Sequence, residues 1–254
     1  MINPKIQHFV IIITVLFFAC KNQNSQLTTI EGAQLDIDTS LTDVDSIKQF
    51  IAPYKKRVDA VLDSTLSYVP HSLVLNDGSR NTSMGNFVAD LVFEETFPLV
   101  QQKINKPLDF VVLNRGGIRS ILSEGNVTAR NGYEIMPFEN YISVVKLNGT
   151  QVRELILFLT KSKRAHPFSG MEIVIDSSGS LESVNIQGAP FDESRSYYVG
   201  TSDYLVSGGA DIGFFPAVDS ILDTEYLLRN AIIDHFKKKD TLTAKVDDRF
   251  IELN

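Results

Sequence analysis

Apolar residues in this chain recur with two periods, and the switches between them mark out the predicted elements. From Val44 to about Leu66, the apolar positions Ile47, Ile51, Val58, Val61 and Leu62 return at helical spacing. Pro53 sits inside that pattern, where a helix either begins or kinks. Ser67 to Leu75 reads as extended and ends in the turn signal Asn76-Asp77-Gly78-Ser79. Phe87 to Phe93 carries a helical apolar face, with Ser83 or Asn86 as its cap. Phe110-Val111-Val112-Leu113 is an unbroken apolar run and predicts a buried strand. A short extended piece begins at Val127, and Ile135 to Asn140 makes a connector. Tyr141 to Leu147 predicts a strand, Asn148-Gly149 a turn, and Thr150 to Leu159 a helix with Val152, Leu155, Ile156 and Leu159 inward. Strands are predicted at Met171–Ile175, Val184–Ile186, Tyr197–Thr201 and Arg249–Leu253, and a hairpin-type turn at Asp176 to Gly179. A helix from about Thr224 to Lys238 ends in a lysine run suited to a helix C-terminus. Three amphipathic helices with a strand-rich second half predict a mixed α/β domain over residues 44–254.

The first 43 residues do not belong to that pattern. Lys5 and His8 precede an apolar run, Phe9 to Ala19, that is too short to span a bilayer comfortably. The run ends at Ala19, next to Cys20, the only cysteine of the chain. It resembles a bacterial lipoprotein signal, with residues 1–19 removed and lipid carried on Cys20. Residues 20–43 are polar and read as a tether. The expectation is a lipid-anchored protein of the periplasm or outer membrane, without free thiol or disulfide. A formal charge of -7 argues against a general nucleic-acid binder but leaves small phosphorylated ligands open.

Candidate chemistry gathers after the apolar strand, at Asn114-Arg115-Gly116-Gly117-Ile118-Arg119. Paired glycines let the backbone come close to a ligand, and arginines supply planar donors for phosphate or carboxylate. The same six residues also read as a turn with two solvated arginines. Arg80 lies before a helix start, where anions are favoured, or else pairs with Asp77 or Asp90. Phe138 and Tyr204 sit in loops and read as ring-stacking surfaces or as core plugs. No phosphate loop of the Gly-x-x-x-x-Gly-Lys type and no Gly-x-Ser-x-Gly elbow is present.

Taken in order, several segments resemble the C-terminal, nucleotide-binding domain of the secreted 5′-nucleotidase family. They are Arg80 with Met84-Gly85-Asn86-Phe87-Val88-Ala89-Asp90, then Asn114 to Arg119, Met136-Pro137-Phe138-Glu139-Asn140 and Val144 to Gly149. Phe168-Ser169-Gly170-Met171, Tyr204 to Gly209 and Asp248-Arg249-Phe250 complete the series. The resemblance implies a layered α/β/β/α fold with mixed sheets. It implies that Arg80 and Arg119 hold the substrate phosphate, with Gly116 and Gly117 among the substrate-binding residues. Asn114 contacts the base, Phe138 and Tyr204 sandwich it, and Asp211 reaches the ribose hydroxyls. In this chain Ala210 separates the glycine pair from Asp211, and Arg115 stands where the family often has a small residue.

The family's enzymes also carry an N-terminal metallophosphatase domain whose two metals are held by clustered Asp, His and Asn. The histidines here, His8, His71, His166 and His235, are far apart and in none of the usual metal-binding arrangements. The expectation is therefore a nucleotide-recognition domain with no catalytic residue and no metal of its own. It would bind a nucleotide or nucleoside monophosphate and act with a separate metallophosphatase subunit that holds the divalent metals. A stand-alone nucleotide-binding lipoprotein and a degenerate interaction domain are the alternatives.

Overall fold

The computed structural model describes residues 29–38, 40–210 and 221–253. Its elements in chain order are α1 Asp45–Leu62, β1 Thr65–Val69, α2 Ser83–Ile104, β2 Phe110–Val112, β3 Gly125–Thr128 and α3 Ala129–Ile135. They continue with β4 Tyr141–Asn148, α4 Gly149–Lys161, β5 Phe168–Ser169, β6 Met171–Ile175, β7 Leu181–Ile186 and β8 Ala189–Pro190. The last are β9 Ser196–Ser202, α5 Asp203–Val206, β10 Ile221–Leu227, α6 Leu228–Lys238 and β11 Phe250–Glu252. The chain divides between Phe50 and Ile51 into two units, and both hydrophobic cores belong to the second.

A five-stranded mixed sheet, in the order β10-β4-β9-β2-β5, is the centre of the second unit. Its neighbours are antiparallel except β2 and β9, which run parallel. A four-stranded sheet, β11-β6-β7-β8, is also mixed, with β11 parallel to β6. The central strands are buried on both faces, so their side chains divide between two cores. Val111, Ile142 and Val144 pack with α2 and α6 through Phe87, Leu91, Ile232 and Phe236. Phe110, Val112, Val145 and Leu147 pack with α4 and with the four-stranded sheet through Leu155, Ile156, Ile173 and Ile175. That two-sided burial is why β2 reads as an unbroken apolar run. The fold is mixed α/β with mixed sheets, as the pattern predicts.

Differences from the predicted elements have local causes. The helix begins at Ser83 because Thr82, in an extended conformation, caps it: its Oγ1 accepts from the Gly85 amide at 3.1 Å. The extended piece predicted from Val127 ends at Thr128 and gives way, ahead of the connector, to α3, opened by a capping box in which Asn131 Oδ1 accepts from the Thr128 amide at 2.9 Å. The helix predicted from Thr224 starts instead at Leu228. Residues 221–227 extend along β4, and Thr224 Oγ1 donates to the Ile142 carbonyl at 2.6 Å. Strand pairing outweighs the local preference there. α1 runs unbroken through Pro53 and buries none of its residues. Among the described residues no helix is long and apolar enough to cross a membrane.

Candidate functional site

The chain leaves β2 at Leu113, whose amide donates to the Pro167 carbonyl at 2.8 Å, and turns at Asn114 into a single 3-10 turn, Arg115–Gly117. Gly117 is buried, and a β-carbon there would lie 3.1 Å from Asn114 Oδ1. Glycine at this position therefore leaves room for the asparagine side chain to fold over the turn. Beyond it, the Arg119 amide donates to the Ile135 carbonyl at 2.9 Å, which ties the loop to the end of α3. Arg119 itself is exposed, its guanidinium making one long contact with the Gly116 carbonyl at 3.4 Å.

Phe138 is presented from the other side of the same cavity. The almost fully buried Arg229 donates to the carbonyls of Pro137 and Phe138 at 3.5 and 3.4 Å while lying over the Tyr133 ring. The Leu228 amide closes the segment by donating to the Asn140 carbonyl at 2.9 Å. Tyr204 stands on α5, which Ser202 caps by accepting from the Leu205 amide. The chain after α5 folds back, so that the Gly209 amide donates to the Tyr204 carbonyl at 2.8 Å and the Ala210 amide to its hydroxyl at 3.1 Å. Any β-carbon at Gly209 would overlap the Tyr204 ring, which explains the glycine. Phe138 and Tyr204 are 43% and 44% exposed, so neither ring is a core plug.

One cavity of about 390 Å³ is lined by Asn114, Gly116, Gly117, Arg119, Phe138 and Tyr204 together. Residues that the sequence reading missed, Asn140, Arg164, His166 and Ala210, complete the lining. Arg164 and His166 follow α4 in a stretch that carries no recognisable motif. The signal available there is only its basic run, Lys161, Lys163 and Arg164.

Arg80 does not line this cavity. Its guanidinium pairs with Glu252 at 3.1 Å, donates to the Thr160 and Ser162 carbonyls and lies over the Phe250 ring. Those contacts tie the chain ahead of α2 to the end of α4 and to β11 and engage its Nε and Nη1 donors. Asp211 and Cys20 lie outside the described residues. Arg115 faces an adjoining cavity, where burial and the like charges of Arg164 and Arg119 hold its guanidinium below the usual arginine range.

Electrostatically the cavity is cationic. Its lining carries Arg119 and Arg164 and, among the described residues, no aspartate or glutamate. Two exposed rings provide apolar faces and the arginines provide charge-assisted donors, a combination suited to a flat ring joined to an anion. No group of three histidine, cysteine or acidic side chains that could hold a metal comes together among the described residues.

The comparisons with known proteins agree with this geometry. Residues 64–219 match the family described as 5′-nucleotidase, C-terminal domain. The protein UshA of Yersinia enterocolitica is 22% identical over 207 residues, 78% of this chain and 36% of that protein. The NAD 5′-nucleotidase of Haemophilus influenzae is 24% identical, over 73% of this chain and 33% of its own length. The crystal structure of a 5′-nucleotidase precursor from Thermus thermophilus superimposes with a TM-score of 0.67 at 22% identity, over 83% of this chain and 43% of that one. The chain thus spans about a third of the length of these curated relatives, and the structural likeness bears on fold alone. The match covers more than half of the residues, includes the loop, both rings and Arg119, and places the chain in the 5′-nucleotidase C-terminal domain family.

Proposed function

We propose that this chain is the nucleotide-recognition component of a 5′-nucleotidase-type hydrolase. A purine or pyrimidine ring lies between Phe138 and Tyr204, Asn114 donates to or accepts from its edge, and the phosphate meets Arg119. The observation that carries this reading is the convergence on one cavity of two exposed aromatic rings and an arginine that, among the described residues, has no carboxylate neighbour. Ring stacking contributes roughly 1–3 kcal/mol per base and is tolerant of base identity. The charge-assisted contact from Arg119 selects a phosphorylated ligand over a bare nucleoside.

In this proposal the bond-breaking step belongs to a separately encoded metallophosphatase that holds the divalent metals, since the described residues here do not fit them. This chain binds the substrate and orients its phosphate toward the partner, and orientation alone contributes several kcal/mol to such a reaction. A lipid on Cys20 would keep the pair at the cell envelope. One relative, the Listeria monocytogenes protein Lmo0130, is named as a cell wall protein. The test is phosphate release from AMP by the purified chain, by the metallophosphatase and by the two together. Release rising only in the mixture supports the reading. Release by this chain alone, or AMP binding with no stimulation of the partner, overturns it, the latter in favour of a capture protein.

A further inference from the structure

Beside the nucleotide cavity lies a second one, of about 630 Å³, that shares Gly116, Arg119 and Arg164 with it. Its far side is formed by Arg115, Lys163 and the turn residues Asn76, Gly78 and Ser79. Four cationic side chains therefore line the groove, Arg115, Arg119, Lys163 and Arg164, and among the described residues no carboxylate does. The acid nearest in sequence, Asp77, is engaged elsewhere, its Oδ1 accepting from the Ser83 amide at 3.0 Å.

Such a cluster is costly without an anion. Like charges held together repel, and the depressed basicity of Arg115 has that repulsion among its causes, after burial. Most other arginines among the described residues are paired: Arg80, Arg130, Arg153, Arg195, Arg229 and Arg249 each meet a carboxylate, and Arg57 is the exception. The groove departs from this habit, and it does so next to the site where one phosphate is expected.

Resting on the nucleotide reading above, we infer that the groove receives a second phosphate group of the bound nucleotide, so that this chain prefers a nucleoside carrying two phosphates to a monophosphate. Arg119 and Arg164 stand at the junction of the two cavities, and Arg115 with Lys163 meets the additional charge. A 5′-diphosphate and a 3′,5′-bisphosphate present the same chemistry from different positions on the ribose.

Calorimetric titration of the full chain with AMP, ADP and adenosine 3′,5′-bisphosphate tests the inference and separates those two sources. At least one of the doubly phosphorylated ligands should bind about tenfold more tightly than AMP, with the advantage shrinking as salt is raised. The double variant R115Q/K163Q, both positions lying outside the ring-stacking cavity, should lose that advantage and keep AMP affinity within about twofold. Its unfolding midpoint serves as the control for folding. Equal affinity for all three ligands, or a preference that survives in R115Q/K163Q, overturns the inference and leaves the nucleotide reading standing. Failure of AMP itself to bind removes both.

Discussion

Two arginines in this chain, Arg119 and Arg249, both fall in segments that resemble the same family, yet the structure uses them in opposite ways. Arg249 is nearly enclosed by carboxylates. It grips Asp90 with both terminal nitrogens at 2.8 and 2.9 Å, holds Asp247 at 2.8 Å and donates to the Phe168 carbonyl at 2.7 Å. Burial, the largest single effect, opposes its charge, but the hydrogen bonds it donates to Asp247 and Asp90 and the charges of those two carboxylates together outweigh it and raise its basicity above the ordinary arginine range. Arg119 makes one long contact to a carbonyl and faces open space. The first arginine has spent its donors on joining β11, β5 and α2; the second has kept them for a ligand. A motif marks both, and only the partners tell them apart.

The largest effect should come from breaking the satisfied cluster. Arg249→Ala leaves Asp90 and Asp247 facing each other across a partly buried gap. It should cost about 3 kcal/mol of stability, measured by urea unfolding. Arg119→Ala should do the reverse, lowering AMP affinity by about 2 kcal/mol, roughly thirtyfold, while the unfolding midpoint stays put. Tyr204→Ala should weaken AMP binding by about 1.5 kcal/mol, and adenosine binding equally, because stacking does not involve the phosphate. Arg80→Gln is the smallest and the sharpest of the set. It should reduce stability by about 1 kcal/mol through its lost contacts with Glu252 and the α4 terminus, and leave AMP affinity within about twofold. A large loss of AMP binding in that variant would mean that Arg80 changes partners when ligand arrives, and the contrast between the two kinds of arginine would fail.

Much of the fold was legible because its signals are periodic. β2 and β4 announce themselves by apolar runs, and α4 by an apolar stripe, which in the structure the reciprocal cap of Asn148 and Gln151 opens. What escaped was set by pairing at a distance. Residues 224–227 look helical in isolation but follow the edge of β4, while α3 depends on a short capping box inside a polar stretch. In the site, Asn114, Arg119, Phe138 and Tyr204, which line one cavity, could be named because the order of their segments resembles the family, with glycines between the first two. Arg164 and His166 could not, since only the return of the chain from α4 to β5 brings them beside the loop. The pairing of Arg80 was hidden for the complementary reason: its ion-pair partner, Glu252, is 172 positions away in the chain.

The central claim is that a nucleotide lies between Phe138 and Tyr204 with its phosphate on Arg119, and a crystal structure of the chain with AMP tests it most directly. The account predicts the base sandwiched by the two rings and phosphate oxygens within hydrogen-bonding distance of the Arg119 guanidinium, with Arg80 still paired to Glu252. A base bound away from both rings, or a phosphate held by Arg80 in place of Arg119, would contradict it.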